Sequence, residues 1–197
     1  MLSSPRDAAE LRDALESNLE ELEDLKKLVN DMLFLARADR GELAADLAPV
    51  SLAAEARRVA EYYEATLEEH GVRLRCEGDA TVTANSGLVR RALANLISNA
   101  IKATPAGHDI VLRCSGSPSG ARVEVQNPGA PIPPADLPRI FDRFFRSGQT
   151  RAPRSEGPGL GLAIVNRIAA RHGGELHVSR ATLGGARLEM HWPLAGS

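Results

Sequence analysis

Apolar residues recur every three or four positions between residues 7 and 38: Leu11, Leu15, Leu22, Leu25, Val29, Met32 and Ala36, with Asn18 at the one polar step. Charged side chains, among them Glu16, Glu20, Glu21, Glu23, Asp24, Lys26 and Lys27, fill much of the rest. The spacing predicts a single helix of about 30 residues, and one helix cannot bury such a seam alone. Two solutions are open: the helix packs on its own domain, or it joins a dimerising bundle. Gly41 ends it, and residues 46–51, with Pro49, read as a short connection. The expected division is 1–48, a lone coiled-coil-type helix, and 49–197, a folded domain.

Beyond the connection the period changes. Ser51 is a plausible cap for a helix over residues 52–70, with Leu52, Ala56, Val59, Tyr63 and Leu67 on one face and Gly71 as its stop. Strict alternation over 72–76 predicts a strand, and 81–83 a short second one. A helix over 86–103 follows, closed by Pro105 and Gly107. Alternating runs at 110–114 and 122–125 flank a Gly/Ser/Pro turn. Residues 127–161 are rich in Gly and Pro and lack apolar periodicity, which inside a compact domain points to a functional lid. A helix over 160–172 and strands at 175–179 and 186–192 complete the chain. The expected fold class is α+β: a two-layer α/β sandwich of a mostly antiparallel sheet of about five strands and three helices, preceded by the long helix.

Composition narrows the possibilities modestly. The 197 residues are 43% hydrophobic and 25% charged, as in folded globular proteins. A net charge of −2 gives no global field favouring nucleic acid. Cys76 and Cys114 sit in alternating apolar runs and read as reduced core residues, placing the chain in the cytoplasm. No apolar run approaches the roughly 18 residues of a membrane span, and the first residues do not resemble a signal peptide, so direct membrane contact is not expected.

The chemistry begins in the helix over 86–103. At about 100° per residue, Asn99 lies near +40° and Lys102 near −20° of Asn95, so two carboxamides and an ammonium share one face. Val89, Leu93, Leu96, Ile97, Ala100 and Ile101 form the opposite, core-facing stripe. A buried helix presenting Asn, Asn and Lys together is suited to a cation and a polyphosphate. Standing alone, these three residues read first as a solvated helix face. Gly157, Gly159 and Gly161 directly precede a helix, where glycines admit an anion and the helix end offers free N–H groups. A Rossmann turn is disfavoured because no strand immediately precedes it, and no Gly-Lys-Ser/Thr follows as a P-loop requires.

Together these segments are specific. Asn95 to Lys102; Glu124, Asn127, Gly129 and Ile132; Phe141, Arg143, Phe145 and Arg146; and Gly157 to Gly161 resemble, in order and spacing, the N, G1, F and G2 boxes of sensor histidine kinases. Gly184 and Gly185 resemble the final glycine motif. Residues 31–39 resemble the second helix of the dimerisation and histidine-phosphotransfer hairpin, nearest to heavy-metal, copper-sensing kinases. The resemblance implies a histidine-kinase/Hsp90-like ATPase fold whose cofactors are ATP and Mg²⁺. Asn99 would hold the metal with Asn95 supporting, and Lys102 would neutralise phosphate. Asn127, Gly129, Ile132, Phe141, Gly157, Gly159, Leu160, Gly161 and Leu162 would line the nucleotide site. Arg143 and Arg146 would contact the γ-phosphate, and Phe141, Phe144 and Phe145 would anchor the lid. Three positions depart from the pattern: Asn127 stands where Asp is usual, Pro131 where a glycine is usual, and Ala103 where an aromatic residue often stacks.

None of His70, His108, His172, His177 and His191 has the setting of a phosphoacceptor. The implied activity is therefore a protein-histidine kinase that is incomplete without its acceptor helix and does not autophosphorylate alone. Its implied partners are that helix, a downstream response regulator and a second copy joined through residues 7–38, with no nucleic acid. The full-length parent would be anchored in the bacterial inner membrane. A non-catalytic nucleotide-binding or dimerisation module remains an alternative, as does an ATPase of the gyrase, Hsp90 and MutL type. Those ATPases use a Glu where this chain has Asn95, and an amide cannot act as a base.

Overall fold

A helix, α1 (Ala8–Asp39), opens the computed structural model, which describes residues 8–43, 46–147, 157–182 and 184–193. Part of the expected lid, residues 148–156, lies outside the described residues. Among the described residues nothing covers the α1 seam: Leu11, Leu15, Leu22, Leu25, Val29 and Met32 are all exposed. Its last turns touch the domain, where Phe34 and Leu35 are buried.

The domain is a layer of helices on a mixed sheet. In chain order come β1 (Ala48–Ser51), α2 (Leu52–Tyr62), α3 (Glu64–Glu69), β2 (Arg73–Glu77), β3 (Thr81–Ala84) and α4 (Ser86–Ala103). Then follow β4 (Asp109–Ser117), β5 (Gly120–Asn127), a short 3-10 turn (Leu137–Arg139), α5 (Gly161–Arg171), β6 (Glu175–Arg180) and β7 (Ala186–Pro193). The main sheet has the order β2-β4-β5-β7-β6. Helices α2, α4 and α5 cover one face, and Leu93, Leu96, Ile97, Ile110, Val123, Val125, Ile164, Ile168 and Met190 form the core between the layers. The two-layer α+β architecture is as the pattern predicts.

Three details differ from the expectations. Residues 48–51 are a strand and not a bare connection: β1 pairs antiparallel with β3 in a separate two-stranded sheet, Pro49 opposite Thr83. Pro49 is tolerated because β1 is an edge. Within the main sheet β2 and β4 run parallel, since α4 crosses between them. The helix over 52–70 is two, interrupted at Tyr63 (φ −93, ψ 6), which packs partly buried against the core beside the exposed Tyr62. Adjacent tyrosines of middling helix propensity sit at the break. Ser51 caps α2 as expected, its Oγ accepting from the Ala54 N–H at 3.1 Å, and Asp79 adds a second acceptor by taking the Ala53 N–H at 3.1 Å.

The outer face of the sheet needs no second layer of helices. Glu124 and Glu189 stand directly opposite each other, and Arg187 bridges them at 2.6 Å to each. Burial raises the Glu124 carboxyl, but hydrogen bonds from Gln126 and Arg187 and the guanidinium charge outweigh it and hold the group below its ordinary value.

Candidate functional site

Helix α4 begins at Asn85, whose Oδ1 accepts from the Leu88 N–H at 3.0 Å. Its stripe of Val89, Ala92, Leu93, Leu96, Ile97, Ala100 and Ile101 is at most 2% exposed, which fixes the rotation of the helix. Asn95 and Asn99 are consequently half-buried on the opposite side and Lys102 is exposed at its end. The Asn95 Nδ2 donates to the Arg91 carbonyl at 2.9 Å, leaving Oδ1 turned toward the glycine loop.

That loop lies against the polar face of α4. A Cβ on Gly161 would come within 3.0 Å of Asn95 Oδ1 and 3.6 Å of both polar atoms of Asn99; one on Gly157 would come within 3.4 Å of Lys102 Nζ. Helix α5 starts at Gly161 with no side-chain cap on Leu160, so its first N–H groups are available to an anion. Gly159 (φ +72) accepts at its carbonyl from the Phe144 N–H at 3.0 Å, and a Cβ there would meet the Phe145 carbonyl at 2.8 Å. The Phe segment is thereby pinned to the glycine loop. Phe144 itself has φ +63, a left-handed conformation costly for an aromatic residue, and is 55% exposed.

Between these elements is a cleft of about 230 Å³. Its lining brings together Asn99, Lys102, Asn127, Ile132, Arg146, Gly157, Gly159, Gly161 and Leu162 from the sequence-derived set. Ile140, Ala186 and Leu188 complete its apolar wall. Sequence reasoning missed those three, because apolar residues at strand and turn positions look like any other core residue. Both Ala103 and Pro131 line the cleft as well. Asn127 is 3% exposed, and Gly129 follows it close under the end of α4.

Five members of the set are not on that wall. Asn95 lines a wider, open cleft of about 690 Å³ between α1 and α4, along with Lys27, Asn30, Phe34, Arg37 and Arg91. This larger space has no glycine cradle, so the smaller one is the anion-site candidate. Phe141 packs partly buried on the core, Leu160 is 1% exposed within it, and Gly129 supports the loop beneath. Arg143 is engaged elsewhere: its Nη2 donates to Asp39 at the end of α1, at 2.5 Å. Arg167 of α5 reaches the other oxygen of Asp39 at 2.8 Å. The Arg143 bond, aided by both guanidinium charges, holds the Asp39 carboxyl below its ordinary value against a smaller opposing desolvation. A second contact reinforces the docking: Arg91 donates to Asp31 at 2.6 Å and stacks 4.0 Å over the Phe34 ring. No spacing rule could have found Asp39 or Arg167, since both act across the tertiary fold.

The donor set fits ATP·Mg²⁺. Carboxamide oxygens are hard ligands suited to Mg²⁺, and an ammonium, a guanidinium and an uncapped helix end suit phosphate. None of the five histidines lines the cleft. Among the described residues no group of three or more His, Cys, Asp or Glu side chains could hold a metal ion, and no helix is long and apolar enough to cross a membrane.

Comparison with known proteins identifies the family. Residues 84–196 match the family described as histidine kinase-, DNA gyrase B-, and HSP90-like ATPase. Over 179 residues the chain is 47% identical to the sensor histidine kinase CusS of Escherichia coli strain K12, covering 90% of this chain and 37% of that protein. It is 37% identical over 196 residues to the sensor protein CzcS of Cupriavidus metallidurans, covering 41% of that protein. Among solved structures, full-length ShkA in complex with AMPPNP superposes with a TM-score of 0.80 at 31% identity, over 98% of this chain and 41% of that one. The chain thus spans well under half the length of the curated relatives it matches.

Proposed function

The chain belongs to the histidine kinase-, DNA gyrase B- and HSP90-like ATPase family, on the sensor histidine kinase side of it, and from that membership we propose that it is the ATP·Mg²⁺-binding catalytic portion of such a kinase. It delivers the γ-phosphoryl group of ATP to a histidine carried outside this sequence. The observation that carries this reading is the convergence of Asn99 and Lys102 of α4 with the glycine loop and the uncapped start of α5 on one cleft.

Each group has a defined task. Bound Mg²⁺ would supply positive charge to the triphosphate. Asn99 offers it a carboxamide oxygen, with Asn95 supporting on the same face. Lys102 and the N–H groups of Gly161 and Leu162 neutralise and orient the triphosphate. Ile132, Ala103, Leu162 and Leu188 enclose the base, with Asn127 as the polar anchor at its edge. Arg146 on the cleft wall and Arg143 beside it are the cations for charge that develops on the transferring group. Hydrolysis is disfavoured because the position of a water-activating base is held by Asn95, an amide occupied at Nδ2 by the Arg91 carbonyl.

The acceptor histidine belongs to a helix that packs on the α1 seam, and a second copy joins through residues 7–38. Residues 1–48 then serve as the second hairpin helix and 49–197 as the catalytic domain. The phosphoryl group passes onward to a response regulator in the cytoplasm, while the parent kinase is anchored in the bacterial inner membrane. Trans-phosphorylation tests the proposal: γ-labelled ATP, this chain and a separate hairpin bearing the acceptor histidine are mixed. Acid-labile label should appear on the hairpin and be lost with Asn99→Ala. A stable phosphoramidate on this chain alone would overturn the assignment of the acceptor to another helix.

A further inference from the structure

Helices α4 and α5 carry two sides of the cleft, Asn99 and Lys102 on one and the end of the glycine loop on the other. They run antiparallel: the end of α5 lies against the start of α4, and the start of α5 lies against the polar face of α4 farther on. His172, the half-buried residue that closes α5, joins them at the end away from the cleft. Its Nε2 accepts from the Asn85 N–H at 3.3 Å, and its Nδ1 lies 2.8 Å from the Ile168 carbonyl oxygen. A backbone N–H can only donate and a carbonyl can only accept. The two contacts therefore define the ring as neutral, with its one proton on Nδ1. Asn85 is the cap of α4, so its own N–H has no partner within that helix and finds one on α5.

The clasp and the cleft are equally far apart along both helices. At 1.5 Å per residue, His172 is about 16 Å from Gly161 and Asn85 about 15 Å from Asn95. Apolar side chains of both helices, Leu93, Leu96, Ile164 and Ile168 among them, hold the pair together without direction. The His172 bond is directional and acts on their register. Register matters at the other end, where a Cβ on Gly161 would already come within 3.0 Å of Asn95 Oδ1.

The carbonyl end of α5 favours a cation at His172 and the N–H end of α4 opposes one. Of the charged side chains on these elements, Arg90 is bound to Glu55, Arg91 to Asp31 and Arg167 to Asp39. Arg171 is exposed, and Glu175 at the start of β6 contacts His177. Among the described residues none of them pairs with His172. A second proton on the ring would find no acceptor at Nε2 and would face the Asn85 N–H, donor against donor.

We propose that His172 is a positioning residue for the cleft: as a neutral imidazole it clasps the far ends of α4 and α5 and sets their register, and its protonation opens the clasp and weakens nucleotide binding. The inference rests on the reading of the cleft as a nucleotide site.

Calorimetric titration with ATP·Mg²⁺ between about pH 5.5 and 7.5, the range in which imidazoles change charge, tests it on the unaltered chain, His172→Gln and His172→Leu. Gln offers a carbonyl oxygen near the place of Nε2 and stays uncharged. Affinity relative to His172→Gln cancels the titration of the triphosphate and of the remaining histidines. The two chains should bind alike at the upper end of the range, and the unaltered chain should fall about fivefold behind at the lower end, the worth of one hydrogen bond. His172→Leu should be the weaker of the two variants throughout. A ratio that does not change with pH, or His172→Gln binding no better than His172→Leu, overturns the proposal. Imidazole nitrogen shifts of the unaltered chain decide should a variant fail to fold. They should show Nδ1–H with a bare Nε2, and by reciprocity saturating ATP·Mg²⁺ should move the His172 titration down by about 0.7 in pH. The opposite tautomer, or a titration that nucleotide leaves in place, overturns the proposal. Asn99→Ala separates the two levels: unchanged ATP affinity there overturns the nucleotide-site reading itself, whereas a flat ratio across pH overturns the clasp alone.

Discussion

Asp39 and Arg143 are 104 residues apart in sequence and joined by one hydrogen-bonded ion pair, so the end of the long helix holds the Phe segment of the lid. Arg167 shares the same carboxylate. A guanidinium committed to a carboxylate is less available to a phosphate, and the two anions compete for Arg143. Asp39→Asn is therefore expected to raise the rate of phosphoryl transfer to a separate acceptor hairpin on the order of fivefold, the low end of ordinary coupling energies. It should leave the melting temperature of the domain nearly unchanged, since the pair is solvent-exposed. An unaltered or lowered rate would show that the contact does not restrain Arg143.

The same carboxylate sets the pH response of the docked helix. The folded-state pKa of Asp39 is depressed, so its contribution is present above the unfolded value and is lost as pH falls through the folded one. Docking of α1, followed by amide exchange over residues 34–39, should stay flat between roughly pH 5 and 8 and loosen only in stronger acid. High salt should loosen it at neutral pH, because the screening length shrinks to about 3 Å at 1 M. Loosening already at mildly acidic pH would point to a different titrating group.

The α1 seam gives a third expectation. Leu15, Leu19, Leu22 and Leu25 are each more than half exposed along one helix, an apolar stripe of the kind that marks an association surface. Replacing Leu22 and Leu25 together by Glu should convert a self-associating chain into a monomer in sedimentation experiments. ATP binding should survive, because neither residue approaches the cleft. A chain already monomeric before substitution would refute dimerisation through α1.

How far the sequence could be read follows from which interactions are local. Helix α4 was legible because Val89, Leu93, Leu96, Ile97, Ala100 and Ile101 recur at helical spacing, which set the faces of Asn95, Asn99 and Lys102; the structure adds Ala92 to that stripe. The glycine loop was legible from three glycines ahead of an apolar period. The pairing of β1 with β3 was hidden because Pro49 breaks the alternation that marks a strand, and the parallel pairing of β2 with β4 is a property of the crossover. The interruption at Tyr63 carries no Gly or Pro to announce it. Within the site, Asn99, Lys102, Asn127, Arg146 and the glycine loop line the cleft while Asn95 and Arg143 do not, and the Asp39 clasp and the apolar wall of Ile140, Ala186 and Leu188 arise from tertiary contact alone.

Gly161 separates stability from binding most cleanly. It is the first residue of α5 and its φ is not left-handed, so alanine fits the backbone there and restricts the unfolded chain, an effect of about 0.4–1 kcal/mol in favour of folding. The added methyl, however, would sit 3.0 Å from Asn95 Oδ1 and 3.6 Å from the Asn99 carboxamide, in the space where the metal and phosphates are proposed to lie. Gly161→Ala should consequently melt no lower than the parent while its ATP·Mg²⁺ affinity falls about tenfold, the effect of losing one well-placed polar contact. Asn99→Ala is the comparator: half-buried and on the polar face, its loss should abolish binding without unfolding α4. Calorimetric titration and thermal melting on the two variants decide the matter. If Gly161→Ala bound as tightly as the parent, the two carboxamides would not be the groups that hold the metal.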